Sequence, residues 1–310
     1  MRSIFSYRLL SFGLVLSAAL QLPSVCLGSS LGITVPAYFY PGSGGPDGVG
    51  DGWAAMTAAA GKTPITAIFN PDSGPVPGPA DPNYVRAITQ LEQAGGKVVA
   101  YVDTGYGALS VSTVENNIST YIGQYGKLVD GIFLDDVNVL PGTLSYYATL
   151  NTYIKGLNPS YLVASNPGQP FLNGVSPADY LSVADVIDIF EGPNKGAPGD
   201  AGFNNYPYGL DWFLSYPNQH FENIVFDVSD AAAMMTDLQR AEQLNAGQIY
   251  ITDQGANGGN PYGQLPSYWD QEIAAVAAAS VPEPTSSAML LLGGAIGGIV
   301  LRRKRRGAHC

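Results

Sequence analysis

The chain has 310 residues, 14 Lys and Arg against 25 Asp and Glu, and a formal net charge of −11. Arg2, Arg8 and the five basic residues of 302–306 flank a stretch, 29–280, that holds seven basic and 24 acidic side chains, a net charge near −17. That balance excludes nucleic acid as a partner, because phosphate binding needs a basic face. With cysteine at 26 and 310 only, and His220 the one histidine of 29–280, a disulfide framework, a Cys/His zinc site and a Ser-His-Asp triad are excluded as well.

Arg2 and Arg8 precede an apolar run over 9–20, and small residues follow up to Ser30. This is the pattern of a signal peptide, assigned to residues 1–28. The roughly 250 residues that follow suit one large domain. They alternate short runs rich in Val, Ile, Phe and Tyr with helical runs. The expected strands are 32–40, 65–70, 97–103, 131–135, 161–166, 185–191, 223–227 and 248–253.

Between them, Asp81-Pro82 opens a helix with Tyr84, Val85, Ile88 and Leu91 on one face and Gly95 at its end. Ser112 with Glu115 has the spacing of a capping box ahead of Val114, Ile118, Tyr121 and Tyr125. Ser229 or Asp230 caps a helix through Met234, Leu238 and Ala241. Shorter helices are expected at 51–60, 143–157, 176–183, 208–216 and 266–279. Eight strands in this alternation predict a single (β/α)8 TIM-type barrel over 29–280.

In such barrels the chemistry sits at the C-terminal strand ends. Here those ends are Tyr40, Asn70, Asp103, Asp135, Asn166, Glu191, Asp227 and Asp253, a ring of carboxylates and amides. Asp135, Asp136 and Glu191 end the most apolar acid-terminated strands and are the catalytic candidates. Glycoside hydrolysis uses two carboxyl groups, one protonating the leaving oxygen and one acting as nucleophile or base. Neighbours on a strand face opposite sides, so Asp135 and Asp136 share the cup only if the strand ends between them. Either one could be the member that faces it. Asp227 and Asp253 could equally cap the helices that follow them. Tyr38, Tyr40, Tyr101, Tyr106 and Tyr262 crowd the same loops and offer ring faces to sugar C–H groups. Tyr38, Tyr40, Asn70, Tyr101, Asp103, Asn166, Asp227 and Asp253 are therefore the expected substrate contacts. No loop matches a phosphate-binding or calcium-binding pattern, and no metal or organic cofactor is expected.

At the far end, Val281-Pro282-Glu283-Pro284 precedes an apolar stretch over 288–301 and the basic cluster of 302–306. This tripartite tail, 281–310, resembles a PEP-CTERM sorting signal. The resemblance implies transient inner-membrane association, cleavage by an exosortase-type enzyme, and delivery to the cell surface or extracellular matrix.

Within the barrel, Pro36-Ala37-Tyr38-Phe39-Tyr40-Pro41, Asn70-Pro71-Asp72-Ser73-Gly74-Pro75, Tyr101-Val102-Asp103-Thr104-Gly105-Tyr106-Gly107, Asp130-Gly131-Ile132-Phe133-Leu134-Asp135-Asp136, Ser165-Asn166-Pro167-Gly168 and Ile189-Phe190-Glu191 resemble, in order, the motifs of spherulin-4-like proteins. That family includes glycoside hydrolase family 135. The resemblance implies hydrolysis of a galactosamine- or N-acetylgalactosamine-containing exopolysaccharide, with Asp135, Asp136 and Glu191 as the acids. Asp136 stands where the family's hydrolase carries Glu, one methylene longer. The competing expectation is a non-catalytic carbohydrate-binding or structural protein of the matrix on the same barrel.

Overall fold

The computed structural model describes residues 31–138, 140–196, 202–206, 209–255 and 259–279. The expected signal peptide and sorting tail lie outside the described residues. Among the described residues no helix is long and apolar enough to cross a membrane.

Eight parallel strands pair in chain order and close on themselves: β1 (Gly32–Ala37), β2 (Ile65–Phe69), β3 (Lys97–Asp103), β4 (Gly131–Asp135), β5 (Leu162–Ser165), β6 (Val186–Pro193), β7 (Phe221–Phe226) and β8 (Gln248–Ile251). Closure runs through Gly32 opposite Gln248 and Ile33 opposite Ile249. The helices between them are α1 (Gly52–Ala60), α2 (Pro82–Gln93), α3 (Val111–Tyr125), α4 (Leu144–Leu157), α5 (Pro177–Leu181), the single turn α6 (Gly202–Asn205), α7 (Ala231–Gln243) and α8 (Trp269–Ala279).

The strands are covered on both faces, so apolar β-branched residues fill them. Ile33, Val35, Val98, Ile132, Val163 and Ile249 are all buried. Each long helix buries one stripe at spacings of three and four, as Tyr84, Ala87, Ile88 and Leu91 do on α2 and Val114, Ile118, Tyr121 and Tyr125 on α3. At the start of β4, a Cβ on Gly131 would stand 2.2 Å from the Leu162 carbonyl oxygen, so β4 and β5 approach there only because residue 131 is glycine.

Asp51, Asp81 and Asp230 accept backbone N–H bonds at the starts of α1, α2 and α7, as expected of N-caps. The cap of α3 is Ser110, whose hydroxyl accepts from Thr113 N–H at 3.1 Å, and not the capping box at Ser112. The helix therefore starts earlier than the Ser112–Glu115 spacing suggests. The helix expected over 208–216 reduces, among the described residues, to a short 3-10 turn at Trp212–Ser215. Trp212 Nε1 donates to Pro170 O at 2.9 Å, and Asn245 Nδ2 donates to the Phe213 and Tyr216 carbonyls. Tertiary contacts thus hold the Trp212 side chain and take two carbonyls that a regular helix would use.

One strand is irregular. Between β6 and β7 the register runs Asp188 opposite Glu222 and then Phe190 opposite Asn223, which leaves Ile189 as the extra residue of a bulge. After the bulge, Glu191 lies opposite Ile224.

Candidate active site

Alternation fixes which strand residues face the barrel axis. Thr34, Thr66, Val99, Ala164, Val186, Glu222 and Gln248 line a cavity of about 170 Å³ at the N-terminal end. Stepping by two from these residues brings Tyr38, Asn70, Tyr101, Asp103 and Asn166 to the inward side at the opposite, C-terminal mouth, and Asp135 comes with them as the register partner of Asp103. Glu191 joins them because the bulge adds one residue to β6.

The centre of the mouth is a carboxylate pair held by one amide. Asn166, buried at the end of β5, donates through Nδ2 to Asp135 Oδ1 at 2.7 Å and to Glu191 Oε2 at 2.6 Å. Two acceptors on one nitrogen place the carboxylate oxygens roughly 5 Å apart or less. The Asn166 oxygen is itself fixed, accepting from Gly168 N–H at 2.8 Å, and Glu191 N–H donates to Gly168 O at 3.1 Å.

Tyr262, from the loop after β8, donates its hydroxyl to Glu191 Oε1 at 2.5 Å. The Tyr101 hydroxyl and the Asp136 backbone N–H stand beside the Asp135 carboxylate and favour its ionised form. Tyr38 packs edge-on against Tyr101 and Tyr262, with ring centroids 5.7 and 5.4 Å away, and completes an aromatic wall beside the acids.

The electrostatics follow from this crowding. Burial pushes Asp135 up to about 6, and the Glu191 charge adds to the shift, against the hydrogen bonds that favour its ionised form. Burial also raises Tyr38 and Tyr262 well above the ordinary phenol range, with neighbouring acids adding to the effect. These phenols stay protonated, and that of Tyr262 is the donor to Glu191.

The strand ends between the two aspartates. Asp135 is the last residue of β4, and Asp136 takes a left-handed backbone conformation with φ 50°. Thr104 Oγ1 and Tyr106 N–H both bond to the Asp136 carbonyl, at 2.8 and 2.6 Å. The Asp136 carboxylate beside the Tyr106 hydroxyl is the largest cause raising Tyr106 to about 12. Asp135 therefore belongs to the central pair, and Asp136 stands at the rim with the exposed Tyr106. Asp103 caps the rim turn, its Oδ1 accepting from Gly105 N–H at 2.6 Å.

The remaining expected contacts have local partners. The Tyr40 hydroxyl donates to Asp81 Oδ2 at 2.9 Å and its ring meets Tyr84, so it stands over the start of α2. Asn70 Oδ1 accepts from Gly74 N–H at 2.9 Å and shapes the loop after β2. Asp227 is exposed in a left-handed conformation, its carboxylate against Gly255. Asp253 accepts from Ser267 N–H and Oγ ahead of α8, the capping alternative. His220 lies at the opposite end, before β7, with Nδ1 2.8 Å from Asp185 O.

Two acids outside the expected set lie below the pair. Asp188 and Glu222 are buried cross-strand neighbours, and burial raises both, Glu222 to about 7. An aspartate inside the apolar run Val186-Ile187-Asp188-Ile189-Phe190 was the available signal.

A closed parallel barrel with a carboxylate pair and tyrosines at its C-terminal mouth defines a TIM barrel whose candidate chemistry is carried by acids at the usual end of the strands. Residues 32–276 match the spherulation-specific family 4, and the chain belongs to that family. It is 33% identical over 254 residues to Spherulin-4 of Physarum polycephalum, covering 79% of this chain and 69% of that protein. Among solved structures, Aspergillus clavatus Sph3, crystallised in complex with GalNAc, superposes with a TM-score of 0.64 at 24% identity. That match covers 81% of this chain and 99% of Sph3. Residues 280–306 match the PEP-CTERM protein-sorting motif, which marks the chain for export toward the cell surface or extracellular space.

Proposed function

We propose that the protein is an exported glycoside hydrolase that cleaves a hexosamine-containing polysaccharide by carboxylate acid/base catalysis. The observation that carries this reading is the Asn166 amide donating to Asp135 and Glu191 at once. Like charges this close resist joint ionisation, so the pair holds one proton between its members in mildly acidic solution. One member then protonates the glycosidic oxygen while the ionised member faces the anomeric carbon. The short separation matches that of retaining glycosidases, where no room is kept for a water on the far face.

Tyr38, Tyr101 and Tyr262 supply ring surface for the sugar, and Asp136, Asp103 and Tyr106 supply the rim. The binding of GalNAc by Sph3 favours galactosamine or N-acetylgalactosamine units in the substrate. The leader, 1–28, and the tail, 281–310, serve export, with an exosortase-type enzyme removing the tail and the barrel retained at the surface or in the matrix.

The test is incubation of purified protein with a galactosamine-rich exopolysaccharide, products read by mass spectrometry, beside Glu191→Gln. Oligosaccharides from the wild type and a loss of at least ~1000-fold in the variant are expected for a catalytic carboxyl. Binding without product from the wild type would instead make the barrel a carbohydrate-binding protein of the matrix.

A further inference from the structure

We infer that Asp188 is a positioning residue for Glu191: its side-chain oxygen holds the bulged turn of β6 that aims Glu191 into the mouth of the barrel. Strict alternation from Val186 and Asp188, both inward, would bring Phe190 to the axis and turn Glu191 out against the helices. The structure has the opposite arrangement. Phe190 packs outward on Phe203 and Tyr206, with centroids 4.8 and 4.9 Å away, and Glu191 lies on Tyr262 and Asn166. The switch is made by one extra residue, Ile189.

A bulge removes backbone groups from the ladder, and buried ones need other partners. Each of the three here has one. Asp188 Oδ1 accepts from Phe190 N–H at 2.9 Å, the Tyr206 hydroxyl donates to Ile189 O at 2.6 Å, and Glu191 N–H donates to Gly168 O at 3.1 Å. Of these, the Asp188 contact is the one inside the turn itself, spanning two residues. An apolar residue at 188 would leave the Phe190 amide without an acceptor and favour the unbulged register, with Glu191 facing away.

Asp188 is fully buried, and its second oxygen has no partner among the described residues. Burial, with Glu222 and Glu191 nearby, pushes its pKa well above the ordinary carboxylate range and so favours the neutral form. In that form it adds no third charge below the two carboxyls of the mouth. What the turn requires of residue 188 is an acceptor oxygen and not a negative charge, and asparagine supplies that oxygen.

This inference rests on the hydrolase reading only for its kinetic arm. Full-length Asp188→Asn should keep kcat within ~3-fold of wild type and keep the same pH–rate profile. Asp188→Ala, which turns Glu191 away from the mouth, should lose kcat on the scale of Glu191→Gln, at least ~1000-fold, with KM changed less than ~3-fold. Crystal structures of the two variants form the second arm. The Glu191–Tyr262 hydrogen bond should persist in Asp188→Asn and be lost in Asp188→Ala. A folded Asp188→Asn as impaired as Asp188→Ala would overturn the inference, and so would an Asp188→Ala structure with Glu191 unmoved. Should Asp188→Ala not fold, Asp188→Asn still decides through its activity and its Glu191 geometry. A wild type that releases no product sinks the hydrolase reading, while the structures continue to judge Asp188.

Discussion

Replacing Asn166 by alanine removes one nitrogen from between two acids, and the consequence can be sized. Each hydrogen bond from Asn166 to a carboxylate, at 2.7 and 2.6 Å, stabilises the ionised form by about 1.5–3 kcal/mol. Two charges roughly 5 Å apart repel by about 3 kcal/mol at an effective dielectric of 20. With the shared donor gone, this repulsion is less well offset and the pair holds its proton to higher pH. Asp135, already raised to about 6, should move up by roughly one to two pH units.

The alkaline side of the pH–rate profile, where the pair loses its one proton, should shift upward by the same amount. The ratio of turnover at pH 8 to turnover at pH 5 should rise by ~10- to 100-fold relative to wild type. A carboxyl-carbon NMR titration of Asp135 gives the same answer without a substrate. A folded Asn166→Ala protein whose Asp135 titrates at the wild-type pH, or at a lower one, would refute the argument that the amide holds two negative charges together.

Other consequences of the geometry are simpler to state. Tyr262→Phe deletes the donor to Glu191 Oε1 and should lower kcat by about 10- to 100-fold, measured as reducing-end release, with the fold intact by circular dichroism. Tyr106→Phe touches only the exposed rim partner of Asp136 and should change polysaccharide KM more than kcat. An equal fall in kcat and kcat/KM would instead bring Asp136 into the chemistry. Stability should decline with rising pH. The folded values of Asp237, Glu222 and Glu272, about 6, 7 and 8, are raised by burial above their ordinary 3.8–4.5. Their contribution is thus whole below about 4.5 and is lost as pH climbs through 6 to 8. The Tm should therefore drop between pH 5 and 9, and Glu272→Gln, which keeps an acceptor for Ile251 N–H, should flatten the drop. A Tm that rises over that range would contradict the sign.

The barrel was legible because burial on both faces leaves a plain signature. The limits of β3 and β4 match the apolar runs to the residue, and the cap signals at Asp81 and at Ser229 or Asp230 announce two of the helices. Segments shaped by distant contacts were less legible. The 208–216 region carries a helical spacing of aromatics, yet Trp212 and the carbonyls of Phe213 and Tyr216 are claimed by Pro170 and Asn245, which no local pattern reveals. At the first strand the apolar run continues through Tyr40, but pairing stops at Ala37. The three residues beyond it turn to different neighbours, Tyr38 to the mouth and Tyr40 to α2.

The site divides along the same line. Asp135, Tyr101, Asn166 and Tyr38 are brought together by a rule the sequence carries, that every second residue of a barrel strand faces the axis. Asn70 and Asp103 obey the rule too but give their side chains to the loop backbone, because a strand-end Asn or Asp next to a glycine turn finds an amide closer than any ligand. Glu191 breaks the rule. Counted by twos from Val186 it should face outward, and a reader trusting alternation alone would discard it. What returns it to the mouth is a single inserted residue, and the chemical reason for that insertion stands three positions earlier as an acid in an apolar strand. A buried aspartate that neither pairs with a cation nor reaches solvent needs another purpose, and here it takes the Phe190 amide that the bulge removes from the ladder. The second carboxyl of the pair is thus written in the sequence twice, once as Glu191 and once as the residue that turns it.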